Sequence, residues 1–561
     1  MQKIWNFYKI DPQKQRALAF GLGISPIIAQ VLLNRGISDA GCAERFFRCD
    51  IKDCADSFLL KGMSKAVARI HKAIRNKENI VVYGDYDVDG LTSCALLSYV
   101  LGDLGAKVSC YIPHRIQEGY GLNKQACRAI KRKDASLVIT VDCGISSFKE
   151  IEYLNSLGID TIVTDHHQPK DKRIPHAFSV IDPWRKDCPY PYKELAGVGL
   201  AYKLAQGVCG KRLDISEHLD LVALGTISDM ASLSGENRIL VKYGLEVLSR
   251  TKKVGLQALM EVTGISRKKI STYHVGYILG PRINATGRMG STDKALNLLL
   301  TSKYDQALKL AQALDQENRQ RQRIEGKTLK EALSMVESQI NFKDHRSVIL
   351  HNEAWHPGVI GIVASRIAER FYRPTILIST DNKTGKGSGR SIKNFNLFNV
   401  LGKCGHLLEE FGGHEKAAGL SILTKNLDEF KQIFNDIAYK TLTTEDLIPM
   451  VDIDMDIALG ALSEKLIFEL EKCAPFGIAN PRPVFVSRDL KLKGRPRILR
   501  SNTFKLWLTD EKVTCEAIGS RFDDLDISSI TDGVSIVYSP SMNEWQGIST
   551  IQLKLKDIRM A

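Results

Sequence analysis

Apolar positions recur with two different periods, and the change between them divides the chain. ISPIIAQVLLNRG (residues 24–36) has helical spacing that stops at a glycine, so residues 1–70 read as a helical lead. From residue 79 short apolar runs take over: NIVVYG (79–84), KVSCYI (107–112), SLVITVD (136–142) and TIVTD (161–165). Between them LTSCALLSYVLGDLG, NKQACRAIKRK and SFKEIEYLNSLG carry helical spacing. Strands alternating with helices at this interval predict βαβ units and a parallel sheet. Residues 303–340 predict a helix with a very polar middle; it either bridges two domains or lies solvated on the surface. A second α/β unit follows, with strands at RSVILHNE and PTILIST, helices at VIGIVASRIAERF and NLFNVLGKCGHLLEEF, and GKGSGRS (385–391) as a turn between them. Beyond residue 450, PVFVSRDLKLKG, TFKLWLTD, VTCEAIG, GVSIVYSP and ISTIQLKLKDI are short strands with turn signals, the pattern of a small barrel.

These patterns give an α/β architecture with a C-terminal β-barrel. The expected divisions are a helical lead of the first domain (1–70), a parallel-sheet domain (71–300), a linking helix (301–342), a second α/β domain (343–448) and the barrel (449–561). A chain of 561 residues is too long for one hydrophobic core, in keeping with several domains. Apolar residues at 44% and charged residues at 25% exclude global disorder, collagen-like repeats and a disulfide scaffold. The charge balance is 78 − 64 = +14, which suits a polyanionic partner without proving one. Twelve scattered cysteines with no C-x-x-C pair argue against a zinc ribbon and fit a reducing cytoplasm. The N-terminus lacks a basic-then-apolar signal, and no run is long enough to span a bilayer. A soluble cytoplasmic protein with no membrane contact is expected.

Candidate chemistry gathers where strands should end. Asp85, Asp87 and Asp89 follow the first run, Asp142 the third, and Asp165, His166 and His167 the fourth. Open α/β sheets form their sites outside the carboxyl ends of the strands. Carboxylates so close repel one another, and divalent cations relieve that repulsion. Asp and His donors suit Mn²⁺ or Mg²⁺, and two such ions can activate water and hold a phosphate. Asp229, in GTISDM, could add another carboxylate. A lone D-x-D is a solvated turn in most proteins, and GDYDVDG resembles a calcium loop but lacks its distal Glu. It is the set, at successive strand ends, that points to a two-metal site. GKGSGRS reads as either an anion-binding turn or an ordinary flexible one. Lys491, Lys493, Arg495, Arg497 and Arg500 form a basic stripe on the barrel segment, with Phe504 and Trp507 as stacking or core aromatics.

YGDYDVDG, VDCG, TDHH and SDM together resemble the four motifs of the DHH phosphoesterase superfamily. With PHRIQEGYGL, GPRINATGRMG, WHPGVIGIVASRIAERF, GSGRSI and FGGHEKAAGL, the resemblance extends in order over nearly the whole chain to the bacterial RecJ family. The resemblance implies a metal-dependent exonuclease that degrades single-stranded DNA 5′→3′ to 5′-mononucleotides in recombination and repair. It implies a DHH domain, a DHHA1 domain and an oligonucleotide-binding barrel. Asp85, Asp87, Asp89, Asp142, His166 and Asp229 would hold two Mn²⁺ or Mg²⁺ ions, with Asp142 bridging them. His167 would sit beside the reacting phosphate, and Asp165 would orient its neighbours. Arg115, Ser388 and Arg390 would bind the 5′-terminal phosphate, Tyr120 would stack on a base, Arg288 would contact the scissile phosphate, and His414 would reach in from the second domain. Single-strand-binding protein and a RecQ-type helicase are the implied partners of a monomeric enzyme. Two alternatives remain: a DHH phosphodiesterase of short oligonucleotides or cyclic dinucleotides, and a non-catalytic single-strand-binding factor.

Overall fold

The computed structural model describes residues 3–560 except 115–117, 120, 170–172, 267, 291, 500–502, 521–532 and 546. Strand Asn79–Gly84 lies inside a parallel five-stranded sheet, between Lys107–Tyr111 on one side and Ala135–Val141 on the other, followed by Asp160–Thr164 and Ser179–Ile181. The first strand in sequence is thus flanked by the second and the third. In doubly wound sheets that reversal opens a crevice at the carboxyl ends of the strands, and here it falls between the strand before Asp85 and the strand before Asp142. The central strands are buried on both faces, which is why they read as continuous apolar runs rather than alternating ones. Helix Val88–Asp103 packs into this core through Leu91, Ala95 and Leu97.

The second sheet runs in the order Leu408–Gly413, Ala417–Leu423, Thr384–Arg390, Thr375–Thr380, Val348–Asn352. GKGSGRS, expected as a turn, is its central strand. Gly385, Gly387 and Gly389 share one face, where a Cβ would meet Ile378, Leu420 and Leu397 side chains at 2.7–2.8 Å. The glycines therefore allow close packing of the apolar layer, and Lys386, Ser388 and Arg390 point to the other face. Alternate glycines removed the apolar signal on which strand recognition depends.

The third sheet closes on itself. Phe485–Leu492 pairs with Val534–Trp545 and also with Thr503–Thr509, so the intervening strands form a barrel, as expected. Phe504 is core, whereas Trp507 is exposed beneath the Lys505 ammonium. Lys491 is tied to Glu511, Lys493, Arg495 and Arg497 face solvent, and Arg500 lies outside the described residues.

The N-terminal lead docks elsewhere than expected. Ile4–Phe7 pairs in parallel with Met450–Ile453, and Trp5 donates to Asp557 at 2.6 Å. Leu18, Ile28 and Leu32 share one core with Leu466, Phe485 and Leu506 of the barrel region. From about residue 51 the chain joins the core of the first sheet, through Ile51, Cys54 and helix Met63–Arg75. An apolar stripe requires a partner surface without specifying which one.

Helix Tyr304–Gln339 links the two α/β units, and its polar middle is solvated on one face and buried on the other, where charges are paired. Asp315 takes Arg282 at 2.9 Å and Arg319 at 2.8 Å. Glu325 takes Arg321 and Arg366, each at 2.6 Å, the latter from helix Pro357–Phe371 of the second unit. Arg282 therefore ties helix to helix. All twelve cysteines are free, and among the described residues no single helix is long and apolar enough to cross a membrane.

Candidate metal centre and nucleic-acid site

Each acid reaches the crevice for a local reason. Asp87 caps helix Val88–Asp103, its Oδ1 accepting from Asp89 N at 2.9 Å and Gly90 N at 3.1 Å. Asp142 leaves its strand with φ +60°, a left-handed conformation that Asp tolerates better than most residues and that turns the side chain into the crevice. Asp229 ends the buried helix Leu219–Ser228. The result is three overlapping groups of donors within 4.8 Å of one another: Asp85, Asp87 and Asp142; Asp142, His166 and His167; Asp89, His166 and Asp229. All six predicted ligands converge, with His167 beside them.

Asp89 is held more firmly than sequence suggests. Its two oxygens accept from Gly197 N and Val198 N, each at 2.7 Å, at the start of helix Gly197–Cys209. A helix N-terminus favours an anion. Gly197 is needed for the approach: a Cβ there would come 2.8 Å from the Asp142 Cβ and 3.0 Å from an Asp89 oxygen. Sequence reading missed Gly197 and Asn284, whose Oδ1 accepts from Val88 N at 3.2 Å. The small-residue run LAGVG was the only visible trace of the first, and the second lay unmarked inside GPRINATGR.

The donor set fits divalent cations. Burial and neighbouring acids push Asp89 up to about 7 and Asp229 up to about 9, and Asp142 well above the carboxylate range. Burial pulls His166 down to about 4, so the ring is neutral at pH 7. That ring bonds the Leu195 backbone, while its Nε2 is buried with no hydrogen-bond partner, 3.0 Å from Asp142 Oδ1. A lone pair facing a carboxylate at that distance is what a shared cation resolves. His167 differs. Burial opposes its charge, but the 2.8 Å bond from Nδ1 to Asp165 outweighs this and raises it to about 9. Asp165, whose burial alone would raise it, is held low by that bond, and its other oxygen accepts from Ile145 N at 2.8 Å. It bonds both the His167 ring and the His167 backbone N–H.

A pH dependence follows. A carboxylate raised in the folded state makes the folded chain bind more protons than the unfolded one between about pH 4, the unfolded value, and the folded values of about 7 for Asp89 and about 9 for Asp229. Metal-free stability therefore falls as pH rises through that window. Mn²⁺ cancels the repulsion, so its increase in melting temperature is expected to be larger at pH 8 than at pH 5. Melting curves with Mn²⁺ and with EDTA check this, and equal increments at both pH values would contradict it.

The second α/β unit completes the crevice. His414, in the hairpin after Leu408–Gly413, lies with its ring centroid 6.3 Å from that of His167, planes 12° apart. Arg288, near the end of helix Gly280–Met289, donates to the Gly358 carbonyl at 3.2 Å. Arg390 donates to Ser388 Oγ at 3.2 Å and to the Gly389 carbonyl at 2.7 Å, and both side chains face Gly361. Ser388, Arg390, Gly358 and Gly361 thus meet at the first turns of helix Pro357–Phe371, where backbone N–H groups favour an anion. Arg115 and Tyr120 lie outside the described residues.

Comparison with known proteins agrees with this arrangement. Residues 79–226 match the DHH family N-terminal domain, 345–440 the DHHA1 domain and 453–557 the RecJ OB domain. The chain is 39% identical over 557 residues to the single-stranded-DNA-specific exonuclease RecJ of Bacillus subtilis, covering 99% of this chain and 70% of that one. Against the exonuclease of the same name from Escherichia coli K12 it is 33% identical over 558 residues, covering 95% and 92%. Among solved structures, RecJ of Thermus thermophilus in complex with Mn²⁺ superposes with a TM-score of 0.85 at 30% identity, covering 100% of this chain and 80% of that one. These domains follow one another along the chain in that order, and with relatives matched over nearly its whole length the chain belongs to the RecJ family.

Proposed function

We propose that this chain is a metal-dependent exonuclease that degrades single-stranded DNA from its 5′ end and releases 5′-mononucleotides. The observation that carries the reading is the convergence of Asp85, Asp87, Asp142, His166 and Asp229 at one crevice, with His414 of the second unit facing His167 across it. Relatives that match nearly the whole chain are named single-stranded-DNA-specific exonucleases, and solved RecJ structures are described as complexes with Mn²⁺ or Mg²⁺.

Asp85, Asp87, Asp89, Asp142, His166 and Asp229 would hold two Mn²⁺ or Mg²⁺ ions. When bound, such ions supply Lewis-acid activation of water and neutralise charge on the phosphodiester. Asp142, common to two of the donor groups, is suited to bridge them. His167, its Nδ1 fixed by Asp165, would present its other ring nitrogen toward the reacting phosphate. Arg288 stabilises the charge on the scissile group or its neighbour. Ser388 and Arg390 hold the 5′-terminal phosphate and so set the first phosphodiester over the acids; Arg115 belongs to the same assignment, and Tyr120 to base stacking. His414 closes the crevice over the substrate. Exposed Trp507, Lys493, Arg495 and Arg497 on the barrel suit a longer single strand better than a dinucleotide.

The boundaries at 70, 300, 342 and 448 remain proposals of the same reading, amended by the docking of residues 4–48 on the barrel. Recombination and repair in the cytoplasm, with single-strand-binding protein and a RecQ-type helicase as partners, complete it. The test is product analysis on 5′-labelled single-stranded DNA with Mn²⁺. A labelled mononucleotide appearing first, suppressed by EDTA and absent from duplex substrate, is the expected result. A ladder shortening from the 3′ end, or turnover of dinucleotides alone, would refute it.

A further inference from the structure

An exposed aromatic pair lies on the segment that packs against the helix ending at Asp229, and nothing in the chemistry above uses it. Tyr273 and Tyr277 are 61% and 73% exposed, with ring centroids 5.2 Å apart and planes 27° from parallel. The pair sits on a segment that runs from the turn Thr272–His274 through a π-helical stretch, Val275–Leu279, into the helix that carries Arg288. π-Helical turns are rare and concentrate at functional sites.

Two glycines of this segment face the catalytic layer. A Cβ on Gly280 would come 2.6 Å from Ser228 Oγ, and one on Gly276 would lie 3.9 Å from Ile227 Cγ2. Ser228 ends the helix whose next residue is Asp229. The segment that bears the tyrosines therefore packs against the helix that ends at Asp229. A cavity of about 150 Å³, lined by Ser228, Gly276, Asn284, Arg288 and Ile362, lies between this segment and the second α/β unit. Met230, directly after Asp229, is 68% exposed and adds an apolar group at the edge of the centre. Lys268 and Lys269 are exposed just before the pair, and the Lys268 charge reaches His274, which lies between the two tyrosines in sequence.

We propose that Tyr273 and Tyr277 form a stacking platform for bases of the single-stranded DNA that flank the scissile phosphodiester. The inference rests on the nuclease reading above and names a subsite for it. Two rings already stacked offer an ordered outer face, every base has a π-face to extend it, and the neighbouring lysines offset phosphate charge. Such a platform is indifferent to sequence, as a degrading enzyme requires.

Abasic substitution tests it. Oligonucleotides carrying one abasic site at successive positions from the 5′ end are titrated by fluorescence anisotropy in EDTA, so that binding is read without cleavage. Wild type should lose about tenfold in affinity when the missing base is the stacked one, since base–aromatic stacking contributes roughly 1–3 kcal/mol. The Tyr273→Ala/Tyr277→Ala chain should bind the intact strand about as weakly as wild type binds that abasic strand, and should lose nothing further. Tyr273→Phe/Tyr277→Phe should keep the wild-type profile. If the alanine chain does not fold, Tyr277→Leu, which retains apolar volume, takes its place. Equal abasic profiles for the alanine or leucine variant and wild type would overturn the platform, as would a phenylalanine variant that behaves like the alanine one. A wild-type chain that neither binds nor cleaves single-stranded DNA would instead overturn the nuclease reading.

Discussion

Replacing Asp142 by alanine is expected to lower turnover on single-stranded DNA by on the order of 10³-fold or more, while binding in EDTA persists. The size follows from its position. Asp142 is common to two donor groups, its Oδ1 lies 3.0 Å from the partnerless Nε2 of His166, and its charge is opposed by burial and by Asp89, Asp87, Asp229 and Asp85. Losing a group shared by two ions weakens both sites at once, whereas losing Asp87 or Asp229 touches only one donor group of the three. Calorimetric titration with Mn²⁺ should accordingly show fewer ions bound to Asp142→Ala than to Asp229→Ala. Turnover near the wild-type rate in a nuclease-free preparation of Asp142→Ala would sink the two-metal assignment.

The second large effect is a change in discrimination. Arg390→Ala is expected to lower kcat/KM on 5′-phosphorylated strands by about 10- to 100-fold, the range of a charged hydrogen bond worth roughly 1.5–3 kcal/mol, and to change it far less on 5′-hydroxyl strands. A terminal monophosphate carries more charge and one more free oxygen than an internal diester, so a cationic pocket distinguishes the two. The guanidinium is held by its own strand, bonded to Ser388 Oγ and the Gly389 carbonyl, and it faces the glycine-lined first turns of helix Pro357–Phe371. That fixed position makes it a reader of the terminus rather than a mobile surface charge. Matched 5′-phosphate and 5′-hydroxyl oligonucleotides, assayed with wild type and variant, decide the matter; an equal loss on both removes Arg390 from the pocket.

The polar helix Tyr304–Gln339 shows why these effects need both α/β units. Arg366 of the second unit meets Glu325, and Arg282 of the first meets Asp315, so each unit is anchored to the same helix by a charged contact. A buried pair that loses one partner leaves an uncompensated charge, so such contacts fix position more than they add stability. Position is what brings the His414 ring centroid to 6.3 Å from that of His167.

Sequence alone determined what depends on neighbours along the chain. Strand runs such as NIVVYG and the acids that follow them were legible because period and strand ends are local properties. So was the long helix, and so was the division into a parallel sheet, a second α/β unit and a barrel. The motifs likewise named all six candidate ligands before any geometry. Only the tertiary structure decided matters that depend on partners far apart in the chain. It put the first strand between the second and third, so that Asp85 and Asp142 flank one crevice. It set the Gly197 and Val198 amides on Asp89, paired Arg282 with Asp315, and carried residues 4–48 to the barrel at the other end of the chain. It also made GKGSGRS a central strand, because the space its glycines leave open belongs to Ile378, Leu397 and Leu420. A residue's period and caps are written within a few positions of it, whereas the surface that accepts its side chain is assembled only when the chain has folded.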